Sequence, residues 1–358
     1  QHKCDFAMYR VYTAPDGSPA TYSKDNVPMK PKAKLNISLD GYKEGDFTMV
    51  IGYPGRTNRY SSSFEVDFNE SVKLPISNGI RGEQMSIIKK WMDADPQIRL
   101  KYADYFFSLS NVQELYSGEV ECCKRFDVVC RKQELEKELQ EWIMASPERV
   151  EKWGDLLAHL ERNYKAIAPA EANAAYFRET LIRGTRLSTI MRRASNPRNQ
   201  QGTGPKMLEA YEELDMRVER ELMEYALETY INNIDPKYFT PWQSEILSRF
   251  AVDGGYDTKA LSDSLWNVCL FTTAVAIRRI GERNVEFTDI VEDPLAKFIL
   301  DIKVTAFNGN KQKAEGEIST VALDREFTHA LYQMRLDKGQ PQYPDANSTM
   351  RITYGTVG

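Results

Sequence analysis

Hydrophobic and polar positions alternate with a period of two over the first 72 residues and with a period near 3.6 for most of the rest. Asp5-Phe6-Ala7-Met8-Tyr9-Arg10-Val11-Tyr12 mixes aromatic and β-branched residues with Arg and Ala as a half-buried strand does, and Asp16-Gly17 closes it with turn chemistry. Leu35, Ile37 and Leu39 alternate with Lys34, Asn36 and Ser38, an Asp40-Gly41 turn follows, and Phe47–Ile51 predicts a further strand running into Gly52-Tyr53-Pro54-Gly55. This predicts an antiparallel β unit over 1–72.

From 73 to 338 the pattern predicts an all-α unit. Leu135, Leu139, Trp142 and Ile143 form one apolar stripe, and Val150, Trp153, Leu157 and Leu160 continue on the following helical segment. Ser146-Pro147 reads as an N-cap with proline at the first helical position. Tyr211, Leu214, Val218, Leu222, Tyr225 and Ile231 predict a helix that stops before Asp235-Pro236. Between these helices, Ser195 to Pro205 is polar and rich in helix breakers, the signature of a mobile loop. Beyond Gly339 a Pro341-Gln342-Tyr343-Pro344 linker leads to a predicted strand at Ser348–Tyr354. The order is thus β over 1–72, α over 73–338 and β over 339–358. It predicts a helical domain inserted into a β domain that is incomplete at both ends and already under way at Asp5.

The chain has 358 residues, 42% of them hydrophobic and 28% charged, enough for two domains with separate cores. A formal net charge of −5 gives no global basic field, which argues against nucleic acid as a partner. The most apolar run, Val268 to Ile277, has the length of a core helix, far short of the roughly 18 residues of a membrane span. Cys4, Cys122, Cys123, Cys130 and Cys269 lack metal-ligand spacing, with only His2, His159 and His329 beside them. They read as free or buried thiols, with room for one bridge, and no metal or other cofactor is expected. His159 and His329 sit in helical patterns and read as packed residues, while Ser86-x-x-Lys89 reads as one face of an amphipathic helix. Arg178, Arg183, Arg186, Arg192 and Arg193 form a basic run that reads as a solvated helix face, with acidic peptides as the alternative target.

Asp5 followed by Phe6-Ala7-Met8-Tyr9-Arg10-Val11 has the pattern of the strand after the catalytic aspartate of trypsin-like serine proteases. Longer strings lie toward the two ends of the chain: CDFAMYRVY at 4–12, YSKDNVP at 22–28, EGDFTMVIGYPGRTNRY at 44–60 and YPDANSTMRITYGTV at 343–357. In these the chain resembles the bacterial periplasmic serine dipeptidyl-peptidases of the types numbered seven and eleven. The resemblance implies a mixed β and α fold, part of a chymotrypsin-like double β-barrel with a large inserted all-α domain capping the cleft. It implies a serine-type exopeptidase that releases dipeptides from free peptide N-termini, in which this chain holds the triad aspartate and the cap and is inactive alone. The alternative is a non-catalytic peptide-binding homologue.

By the same resemblance Asp5 is the carboxylate that orients the catalytic histidine, and Asn111, in Phe107-Ser108-Leu109-Ser110-Asn111, holds the substrate's α-amino group. Read on its own residues, Asn111 caps or ends a helix instead. The resemblance further implies oligopeptide substrates, a periplasmic or secreted location, and a homodimer. At the opening, Gln1, Lys3 and Cys4 depart from the family's usual residues, and His2 reads as structural.

Overall fold

The computed structural model describes residues 8–34, 36–196, 204–282, 284–301 and 319–358. The chain forms two compact units, one made of Gln1–Thr57 with Ala346–Gly358 and the other of Asn58–Asp345.

The first unit carries two small antiparallel ladders. β1 (Tyr12–Thr13) pairs with β2 (Val27–Pro28), and β3 (Phe47–Gly52) pairs with the last strand of the chain, Arg351–Thr356, in the register Phe47 to Thr356 and Ile51 to Ile352. The predicted turns at Asp16-Gly17 and Asp40-Gly41 each have their glycine at positive φ, 86° and 77°, where a side chain would be strained. Two expected strands are shorter or absent. Neither Met8–Val11 nor Asn36–Leu39 is in a ladder among the described residues; Leu35 lies outside them. Alternation marks a strand only where a second strand offers its N–H and C=O groups.

The second unit is helical, with one small hairpin of β4 (Ala251–Val252) and β5 (Gly255–Tyr256), which makes Arg351–Thr356 β6. Its helices are α1 (Ser63–Phe68), α2 (Leu74–Ala94), α3 (Pro96–Arg125), α4 (Val128–Met144), α5 (Pro147–Trp153), α6 (Leu156–Phe177) and α7 (Arg186–Ala194). They continue with α8 (Gly204–Glu212), α9 (Met216–Asn233), α10 (Pro241–Ser248), α11 (Thr258–Val268), α12 (Ala274–Gly281), α13 (Phe287–Val291), α14 (Pro294–Leu300) and α15 (Thr320–Asp337).

Helix begins at Ser63, inside the stretch predicted as β. Ser62 caps it by accepting from the Glu65 N–H at 3.2 Å, a Ser-x-x-Glu signature that the alternation around it obscures. Pro75 lies inside a nearly continuous helical run. A π turn over Asn69–Lys73 resets the ladder just before the proline, where the missing N–H and the ring would otherwise break it. Pro147 does open α5 after Ser146, although the Ser146 side chain makes no capping bond.

Two predicted continuous helices are each split by a cap. Asp215 accepts from the Arg217 N–H and starts α9, separating it from Tyr211 on α8. The run from Val268 to Ile277 is broken at Cys269 and again at Thr273, which caps α12. Gly204 and Pro205 of the predicted loop already belong to α8, and residues 197–203 lie outside the described set.

Three apolar clusters fill the unit. One, formed mainly by α7 to α14, centres on Leu187, Leu227, Phe271 and Phe298. A second joins α1, α4, α5, α6 and α15 through Leu139, Ile143, Leu160 and Phe327. The third packs α2 and α3 on α9 through Ile88, Ile98, Tyr102 and Leu222. His329 packs edge-on against the Trp153 ring at 5.4 Å, as its helical pattern predicts, and Ser86 and Lys89 lie exposed on α2 with Lys89 paired to Asp93. Cys122, Cys123, Cys130 and Cys269 are all free, so none forms the bridge the sequence left room for.

On α15, Asp324 accepts from the Tyr164 hydroxyl at 3.1 Å, and burial, with Glu65 adding repulsion, pushes its carboxyl up to about 6. A folded-state value above the unfolded one means that the folded chain binds the extra proton, so stability falls as pH rises from about 4 to about 6. Asp324→Asn keeps an acceptor for Tyr164 and removes the charge. We expect it to raise stability at pH 7.5 by about 1 kcal/mol, reduced from the full linkage value by solvent screening, and to match wild type below pH 4. Denaturant midpoints across pH 3.5 to 8 measure this; equal midpoints at pH 7.5 would contradict it.

Candidate functional site

Asp5, with His2 and Cys4, lies outside the described residues. Asn111 sits in the middle of α3, so it neither caps nor ends a helix. Its side chain is exposed between Phe107 and Leu115, one turn away on either side and 60% and 61% exposed, and its amide has no hydrogen-bond partner among the described residues. An open amide flanked by uncovered apolar side chains is able to accept from an ammonium and pack beside it.

On another face of the same helix, about 100° round from Asn111, Val112 lines a cavity of about 620 Å³ among α2, α3, α7 and α8. Four arginines reach it: Arg81 from α2, Arg183 and Arg186 from the turn before and the start of α7, and Arg193 from its end. Arg183 and Arg193 are exposed, as the solvated face predicted from their spacing requires, and with the half-buried Arg186 they also line this cavity. The fourth guanidinium comes from a residue a hundred positions earlier, and no local pattern joins it to the other three.

The backbone that presents these groups is built around a second π turn, Arg178–Ile182, which ends α6 and buries Glu179. Glu179 pairs with Arg81 at 2.9 Å and with Arg183 at 3.3 Å, and Gln84 donates to its backbone carbonyl at 3.0 Å. Gly184 follows the turn. A Cβ there would stand 1.7 Å from the Thr180 carbonyl oxygen and 3.1 Å from the Ala226 side chain, so only glycine fits. Thr185 then caps α7, accepting from the Ser188 N–H at 2.8 Å.

Beneath α7 lies Glu219 of α9, fully buried. It accepts from the Leu187 N–H at 2.8 Å and from the Tyr102 hydroxyl at 2.6 Å. Burial raises its pKa, opposed by these two bonds and by the Arg186 charge. Arg186 is held by the backbone carbonyls of Lys101 and Glu213, at 3.2 and 3.0 Å, and lies over the Tyr102 ring. Among the described residues no group of His, Cys, Asp and Glu has metal-binding geometry, and no helix is long and apolar enough to cross a membrane.

A mixed fold with a large helical unit between two β segments, carrying an exposed amide on its longest described helix, matches one class of peptidase along its whole length. The chain belongs to the Peptidase S46 family, whose model matches residues 1–358. It is 30% identical over 375 residues to an Asp/Glu-specific dipeptidyl-peptidase of Capnocytophaga gingivalis, covering all of this chain and 51% of that protein. It is 28% identical over 368 residues to dipeptidyl-peptidase 7 of Porphyromonas gingivalis, covering all of this chain and 50% of that protein. The fold is that of Porphyromonas endodontalis DPP11 in complex with the dipeptide Arg-Glu, with a TM-score of 0.69, 22% identity, and coverage of 97% of this chain and 50% of that one. The chain spans about half the length of the curated relatives it matches.

Proposed function

We propose that this chain is part of a serine-type exopeptidase that releases dipeptides from the free N-termini of oligopeptides. The observation that carries this reading is the end-to-end match to the Peptidase S46 family, with relatives named as dipeptidyl-peptidases. In this reading Asp5 accepts the N–H of the catalytic imidazole, holds its tautomer and stabilises the imidazolium while the histidine serves as base toward serine, both supplied from outside this chain. Asn111 accepts from the substrate's α-ammonium, a role supported by its exposed amide, which has no hydrogen-bond partner among the described residues.

The β unit belongs to a chymotrypsin-like double β-barrel in this proposal. Support comes from the β3 and β6 ladder, where Phe47, Met49, Ile51, Ile352 and Tyr354 project to one face and are each more than half exposed. Two strands with such a face are marginal by themselves and call for further strands or a second layer to cover it. A periplasmic or secreted location and a homodimer complete the proposal, on family resemblance.

The test offers the protein that carries this chain one peptide with a free and with an acetylated N-terminus. Dipeptide release from the free form alone is expected, because an acetylated amine presents no ammonium to an amide acceptor. Release from both forms would overturn the exopeptidase reading. Release from neither, with measurable peptide binding, would replace it with a non-catalytic binding protein.

A further inference from the structure

We infer that the arginine-lined cavity is a binding site for an organic carboxylate, separate from the face that carries Asn111. No acidic side chain lines it among the described residues, whereas four arginines do. Glu179 lies behind Arg81 and Arg183 and neutralises one charge of that pair, and Glu219 offsets Arg186 from beneath. Arg193, exposed at the end of α7, has no side-chain partner among the described residues. Among the described residues the cavity therefore keeps a positive excess after these pairings.

Arg81 is buried, 6% exposed, and its Nε donates to nothing among the described residues. A buried guanidinium N–H without an acceptor is costly, and an oxyanion entering the cavity would supply one. The remaining lining selects the kind of anion. Leu109, Val112, Ile190 and Leu214 offer an apolar wall, and Tyr105 and Tyr116 a phenolic one. A carboxylate on a short hydrocarbon stem satisfies both halves, whereas inorganic phosphate leaves the apolar wall without a partner. A free dicarboxylate and an acidic side chain of a peptide both carry such a stem, and the shared chemistry is the carboxylate.

The experiment is calorimetric titration of the full chain with glutarate, glutaramide, phosphate and the blocked peptide acetyl-Glu-Glu-amide. Neither glutarate nor the blocked peptide offers a free α-amino group, so the result does not depend on the exopeptidase reading. Saturable binding of glutarate is expected. Glutaramide should bind at least tenfold more weakly, and phosphate should bind more weakly than glutarate. Binding of the blocked peptide as well would assign the stem to a peptide; glutarate alone would assign it to a small acid.

Arg81 variants risk misfolding because they strand Glu179, so the decisive substitutions are Arg193→Gln and Arg183→Gln, both at exposed guanidiniums. Each should weaken glutarate binding by roughly tenfold, the loss of one charge-assisted contact. The site assignment fails if glutarate shows no saturable binding up to about 10 mM, if glutaramide binds equally well, or if both variants bind like wild type.

Discussion

In the protein that carries this chain, Asp5→Asn is expected to lower kcat for dipeptide release about 10⁴-fold while KM changes by no more than a few-fold. The proposed role requires an acceptor for the imidazole N–H. An asparagine amide can instead turn its NH₂ toward the ring and hold the wrong tautomer, so the base toward serine is lost while the peptide still binds. A 10⁴-fold loss corresponds to about 5.5 kcal/mol of transition-state stabilisation, which a disturbed loop alone does not produce with KM preserved. Steady-state kinetics on the free-amine peptide, with circular dichroism to confirm folding, measure it. A loss below tenfold in kcat would remove Asp5 from the triad.

Glu219→Ala is expected to destabilise the helical unit by about 3 to 5 kcal/mol, and Glu219→Gln by less than half of that. The carboxylate is completely enclosed, and its two oxygens satisfy donors from different elements, the first turn of α7 and the phenol of Tyr102 on α3. Alanine leaves the buried Leu187 N–H without an acceptor, leaves the Tyr102 hydroxyl with only the Asp215 carbonyl at 3.4 Å, and opens a cavity, three losses that act together. Glutamine restores one acceptor and turns an N–H toward the other donor. Because burial already raises the Glu219 pKa, removal of its charge is the smaller part of the cost. Urea midpoints of the three proteins at pH 7 decide the matter, and a loss under 1 kcal/mol for alanine would show that these donors find other partners.

Periodicity made the core stripes legible, since Leu139, Ile143, Leu160 and Leu222 are all fully buried where helical spacing puts them. It did not reveal the breaks. Asp215 and Thr273 each accept from an N–H two or three residues ahead, and such a local bond divides an apolar run without changing its spacing. The early start at Ser63 was written in Ser62 and Glu65, but Phe64, Val66 and Phe68 alternate as in a strand, and only the burial of Phe68 against α4 and α6 favours the helix. Asn111 was legible through motif resemblance and not through its own neighbours. The cavity was half legible. Three of its arginines form a visible run, whereas Arg81 joins them only through Glu179, which a π turn carries inward.

The β3 and β6 pairing joins segments about 300 residues apart, and this fixes an order of events during folding. Closing so long a flexible loop costs about 5 kcal/mol in chain entropy, more than a six-residue ladder with an uncovered face can recover. The helical unit removes that obstacle because its own two ends meet. The Arg59 N–H donates to the Asp345 carboxylate at 2.9 Å, and the Tyr60 hydroxyl donates to the Tyr343 carbonyl. Once the helices have packed, the ladder closes across a short gap. β3 therefore lacks its β6 partner until the helices have formed, and an apolar strand left uncovered in that interval is exposed to aggregation and to chaperone capture.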